Sequence, residues 1–80
     1  MNREEVLKNV IIFASRAYKK DVSEINENTN LSDLGVQSLQ RVAMSASIEE
    51  EYDVSIPVAK FGQFATVGAL VDHIMEEAEE

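Results

Sequence analysis

The sequence predicts an all-α protein: a small four-helix bundle of three longer helices and one short one, with a long first loop. Three observations lead there. Apolar residues recur at helical spacing over three separate stretches. No stretch alternates convincingly with a period of two, and Val54-Ser55-Ile56 carries only a faint trace of it. The chain has 80 residues, 45% of them apolar, and no Cys. That length suits one domain spanning 1–80, whose core must be compact and mostly local in sequence because no disulfide helps it.

The first helix is expected from about Arg3 to Lys20. Asn2, with Glu5 three residues later, has the form of a capping box. Val6, Leu7, Val10, Ile11, Phe13, Ala14, Ala17 and Tyr18 make a wide apolar stripe, and Lys19 and Lys20 suit the negative end of the helix dipole. Asp21 to Gln37 then reads as a loop, rich in Asp, Asn, Ser and Glu. Val22, Ile25, Leu31, Leu34 and Val36 are spaced to pin it onto the helices. A loop of this length in a compact domain is often functional. Gly35 is expected to supply a backbone turn just before the next helix.

The second helix is expected from Ser38 to about Tyr52 and carries two apolar stripes. Met44, Ile48 and Tyr52 form one, while Leu39, Val42, Ala43 and Ala46 form another on an adjoining face. One stripe suffices for a core. The second is either an exposed contact surface or a sign that the helix is buried on two sides. Asp53 to Gln63 is a connector in which Pro57 is placed to open a short helical turn, with Val58, Phe61 and Phe64 turned inward. Thr66 can cap the last helix, along which Val67, Leu70, Val71, Ile74, Met75 and Ala78 follow at helical spacing. The terminal run Glu76-Glu77-Ala78-Glu79-Glu80 opposes the dipole and is expected to fray.

Composition removes several functions. No apolar run approaches the ~20 residues of a membrane span. Met1-Asn2-Arg3-Glu4-Glu5 does not read as a secretory signal, so a cytoplasmic location is expected. The formal net charge of −8 argues against nucleic acid and favours partners with basic surfaces. The charge is uneven: residues 1–41 hold six acids and six bases, while residues 42–80 hold nine acids and the single base Lys60. Those acids either keep a small protein soluble or form a docking face. No Cys and a single His73 leave no thiolate site and no His cluster, and no metal site is expected. A calcium loop counted from Asn26 fails, with Leu31 and Gln37 where Gly and Glu are needed. Ser15, Ser45 and Ser47 have no His nearby in sequence, and His73 is expected on a helix surface rather than as a general base. No catalytic residue is expected.

One segment stands apart. In Asp33-Leu34-Gly35-Val36-Gln37-Ser38-Leu39 a loop closes on a glycine and places a hydroxyl at a helix N-terminus. Such a serine can cap the helix. It can also carry a phosphate, favoured beside unpaired N–H groups and the positive dipole end.

That segment, followed by Glu49-Glu50-Glu51-Tyr52-Asp53, Ile56-Pro57 and Thr66-Val67, resembles the acyl carrier proteins, a phosphopantetheine-dependent carrier family, over roughly Val6 to Ile74. The resemblance implies a four-helix carrier, not an enzyme. Ser38, between Gln37 and Leu39, would bear 4′-phosphopantetheine through a phosphodiester, installed from coenzyme A by a separate phosphopantetheinyl transferase with magnesium. The arm's thiol would hold an acyl group as a thioester for fatty-acid, polyketide or related biosynthesis. Leu39, Val42, Ala46, Glu49 and Glu50, with Glu51 beside them, would dock partners of the ketosynthase, acyltransferase or ligase type through basic surfaces. Ala46, Ile56 and Phe61 would line a pocket for the acyl chain. The carrier is expected to be a monomer.

The family's usual residue before the serine is Asp, and here it is Gln37. Gln40, Arg41 and Ala43 follow where acids are typical, so the span from Gln37 to Ile48 carries a net +1. This departure points to a dedicated or secondary pathway. The alternative is an unmodified acidic helical interaction module with the same fold.

Overall fold

The computed structural model describes residues 2–35 and 37–78; the expectations placed on Val36 and on the last two glutamates lie outside them. Its longest helix, α1 (Arg3–Tyr18), begins where the Asn2 carboxamide oxygen accepts from the N–H groups of Glu4 and Glu5 at 2.8 and 3.4 Å. Val6, Val10, Ala14 and Tyr18, four residues apart, form its buried row, with Leu7, Ile11, Phe13 and Ala17 partly buried along the edges. The helix stops at Tyr18, two residues short of the expected end. Lys19 turns left-handed (φ 56°) and its N–H closes back onto the Ser15 carbonyl.

The segment between the first two long helices is more structured than its composition suggested. The capping box expected at Asn2 forms at Asp21 and Glu24, around a 3-10 turn over Val22–Glu24. A short helix, α2 (Leu31–Leu34), is capped by the Asn30 side chain accepting from the Ser32 N–H at 2.9 Å. The asparagines are turn acceptors: Asn26 takes the Asn28 N–H at 2.8 Å, and Thr29 Oγ1 takes the Asn26 N–H at 2.8 Å. Ile25 and Leu31 pin the segment to the core and Leu34 packs at its edge, whereas Val22 is 50% exposed.

Next comes α3 (Ser38–Tyr52), which ends at a left-handed Asp53 (φ 58°). Val54 and Ile56 are buried in the extended stretch that follows, without forming a strand. Pro57 is the cap of a 3-10 helix (Val58–Gln63) rather than its first residue. Its ψ of 141° is extended, and its carbonyl accepts the first i to i+3 bond, from Lys60. The last helix, α4 (Val67–Ala78), starts at Thr66 as expected, with Thr66 Oγ1 accepting from the Ala69 N–H at 3.2 Å. It remains helical through Glu76, Glu77 and Ala78.

α1 packs against both α3 and α4, and the 3-10 helix closes the bundle against α3 and α2. Phe61, Met44, Ile48, Ile56, Leu70 and Ile74 are the largest fully buried side chains. His73 is less exposed than a surface position requires. Its side chain is 16% accessible and its ring lies 5.1 Å from that of Phe64.

The segment carrying α2 is strapped to the start of α4 by main-chain bonds. The Leu31 N–H donates to the Ala65 carbonyl, Val67 to Thr29, and Gly68 to Glu27 at 2.8 Å. Gly68 permits this approach: a Cβ there would sit 3.0 Å from the Glu27 carbonyl oxygen. Arg3 braces the same corner, 2.7 Å from Asp72 and 3.6 Å from Glu27.

Candidate functional site

Ser38 is the first helical residue of α3, and its side chain is exposed. The cap position belongs to Gln37, whose side chain makes no capping bond. The spacing left two roles for this serine; the structure removes the capping one and leaves the hydroxyl open to solvent. The first N–H to close a helical bond is that of Arg41, onto the Gln37 carbonyl at 3.3 Å. The N–H groups of Ser38, Leu39 and Gln40 therefore have no acceptor within the helix, and the first turn carries no acid to oppose an anion.

The approach to Ser38 is fixed by Gly35, for a reason the sequence did not give. Gly35 has φ 160° and ψ 154°, an extended backbone any residue adopts, so no special turn is needed. Space is what matters. A Cβ on Gly35 would lie 2.5 Å from Gln40 Oε1 and 3.1 Å from the Tyr18 ring. Tyr18 is buried beneath this turn, and burial raises its hydroxyl pKa above the ordinary value, while nearby Arg41 opposes the rise. Gln40 Oε1 is itself buried without a hydrogen-bond partner among the described residues.

The two stripes of α3 separate cleanly. Met44 and Ile48 are in the core, and the Tyr52 hydroxyl accepts from Asn9 Nδ2 at 2.8 Å. The other stripe faces solvent: Leu39 is 79% exposed and Val42 49%, with Ala43 and Ala46 exposed beside them. Glu49, Glu50 and Glu51 are exposed at the far end of the same helix. At ~1.5 Å of rise per residue, Glu49 lies about 16 Å along the axis from Ser38. Of the residues expected to line an acyl pocket, Ile56 and Phe61 are fully buried in the core. Ala46 belongs instead with Leu39 and Val42 on the outer face, because its helical phase sets it away from Met44 and Ile48. An apolar groove of about 350 Å³ runs along α1 past Leu7, Ile11, Ile12 and Val22, and none of those three expected residues lines it. Its signal in the sequence was the width of the α1 stripe, broader than a core contact needs.

Among the described residues no group of three or more His, Cys, Asp or Glu could hold a metal ion, and no helix is long and apolar enough to cross a membrane.

Comparison with known proteins gives this geometry a family. The profile described as phosphopantetheine attachment site matches residues 10–74. The chain is 31% identical over 77 residues to an acyl carrier protein of Cyanidioschyzon merolae, covering 95% of this chain and 85% of that one. It is 33% identical over 75 residues to an acyl carrier protein of Prochlorococcus marinus, covering 92% and 94%. It is also 43% identical over 47 residues to the bikaverin polyketide synthase bik1 of Gibberella fujikuroi; that match takes in 59% of this chain and 2% of the synthase. The chain belongs to the acyl carrier protein family, whose members carry a phosphopantetheine attachment site.

The prosthetic group of this family is a covalently attached 4′-phosphopantetheine. The residues present fit it. An exposed hydroxyl stands on the first turn of a helix, released from capping, beside N–H groups without helical acceptors and with no acid in that turn.

Proposed function

We propose that the chain is a single carrier domain in which Ser38 holds 4′-phosphopantetheine through a phosphodiester and presents an acyl group to partner enzymes. The observation that carries this reading is the position of Ser38: first in α3, exposed, and without a capping duty. When bound, the arm supplies a thiol on which an acyl group is held as a thioester, in a chain that has no Cys of its own.

The protein's own part is to anchor and to dock. Leu39, Val42 and Ala46 give an apolar strip beginning one residue from the anchor, against which a partner can exclude water. Glu49 and Glu50, with Glu51, give the acidic end of the same helix and steer basic surfaces into register. Tethering keeps the acyl group at high effective concentration at a docked active site. Ile56 and Phe61 are the interior side chains that a long acyl chain would have to displace. The partners are a separate phosphopantetheinyl transferase and enzymes of the ketosynthase, acyltransferase or ligase type. The full-length carrier relatives and the polyketide synthase match support fatty-acid or polyketide chemistry. Gln37 and the lack of acids up to Ile48 favour a dedicated or secondary pathway.

The test is loading. Incubation with a broad-specificity phosphopantetheinyl transferase, coenzyme A and magnesium should add the mass of one arm to the intact protein. Ser38→Ala should add none while keeping its far-UV circular dichroism. A wild-type mass that never changes would overturn the proposal and leave the unmodified interaction module.

A further inference from the structure

Resting on the assignment of Ser38, we propose that Arg41 holds the phosphodiester of the arm and so fixes the direction in which the arm leaves the helix. Arg41 follows Ser38 by three residues, a spacing that puts two helical side chains on neighbouring surface, with Cβ atoms ~5–6 Å apart. It is the only basic residue of α3, and among the described residues it forms no ion pair, unlike Arg3, which is engaged by Asp72 and Glu27. Its place is set by packing. It is half-buried, close to the Tyr18 hydroxyl, and its Nη1 lies 3.8 Å from where a Cβ on Gly62 would stand.

Leaving aside the residues next to Gly62 in the chain, the guanidinium is what approaches that exposed point. A half-buried cation one turn from the anchor, without a carboxylate among the described residues, is suited to receive a phosphate. Guanidinium binds phosphate through two parallel N–H···O bonds, which fixes direction as well as proximity. The charge balance favours the same pairing. The chain carries −8 and the phosphodiester would add a further negative charge. The span from Gln37 to Ile48 contains no acid to compete for Arg41, and the acids resume only at Glu49. The basic residue that departs from the family's acidic pattern thus has a task at the arm's root.

The experiment compares loaded and unloaded wild type, Arg41→Gln and Arg41→Lys. Each variant is referred to its own unloaded form, so that any packing loss at Tyr18 or Gly62 cancels. Loading should raise the wild-type melting temperature by about 2–4 °C at low salt, the scale of one exposed ion pair in a small domain. The gain should vanish in Arg41→Gln, return in large part in Arg41→Lys, and disappear at ~1 M salt, where screening acts within ~3 Å. The phosphorus-31 resonance of loaded Arg41→Gln should move from the wild-type position toward that of the free arm. Equal gains and identical resonances in wild type and Arg41→Gln would overturn the role of Arg41 alone. A wild type that accepts no arm, seen as an unchanged mass, would overturn the Ser38 assignment and this inference with it.

Discussion

The Ser45 hydroxyl donates a 2.7 Å hydrogen bond to the Ile56 carbonyl, joining the middle of α3 to the extended stretch that leads into the 3-10 helix. Ser45 and Ser38 are seven residues apart, two turns of one helix, so this bond fixes the helix that begins at Ser38 against the stretch that follows it. Ser45→Ala leaves the carbonyl of the buried Ile56 without that donor, and should cost about 1–3 kcal/mol. Urea unfolding should show a lower midpoint with an unchanged slope. Ser45→Thr, which keeps the hydroxyl, should lose less.

Gly35→Ala should destabilise through contact rather than through backbone strain, since its extended backbone accepts alanine while the added methyl meets Gln40 Oε1 and the Tyr18 ring. A loss of about 1–3 kcal/mol is expected for such overpacking. Because Gln40 Oε1 has no hydrogen-bond partner among the described residues, Gly35→Ala with Gln40→Ala should recover part of it. The double-mutant cycle should give a coupling of about 0.5–3 kcal/mol. Additive losses would show that the two side chains do not meet.

Burial raises the pKa of Tyr18, so in the folded protein its hydroxyl keeps its proton to a higher pH than in the unfolded chain. Above ~10, the unfolded value, the unfolded state has released that proton while the native state retains it. Stability from this group is therefore complete below that pH and is lost as pH rises through the window between the unfolded and folded values. Tyr18→Phe should flatten the alkaline limb of a stability–pH curve. A curve of unchanged shape would assign the limb to other groups.

Reversing the charge of Glu49, Glu50 and Glu51 together should slow association with a basic partner at ~10 mM salt and have little effect at ~1 M. Stopped-flow association rates at the two salt concentrations decide it. An equal loss at both would mean a packing defect in α3, which circular dichroism would also show.

Much of this was open to reading from the residues. The rows Val6-Val10-Ala14 and Leu70-Val71-Ile74 are buried as their spacing required, and Thr66 caps α4 as its position suggested. Ser38, Leu39 and Val42 stand out because polar and apolar residues fall in distinct phases of one helix. The less legible features depend on partners far away in the chain. Nothing near Gly35 in sequence announces that Tyr18 lies beneath it, and Arg41 gains its setting from Tyr18 and Gly62, 23 and 21 residues away. Helix α2 is four residues long, shorter than any periodicity can reveal, and holds because Asn30 caps it and Leu31 is buried. The capping box moved from Asn2 to Asp21 because the two-residue pattern occurs at both places and only geometry chooses between them.

The main-chain bonds from residues 27–31 to residues 65–68 bear on how the domain comes into being. The stretch they hold leads directly to Ser38, yet its fastenings are contributed by the start of α4. A nascent chain emerging from the ribosome would expose the serine and complete α3 well before those fastenings exist. The segment ahead of Ser38 would then settle only as the final helix docks, a late, non-local closure.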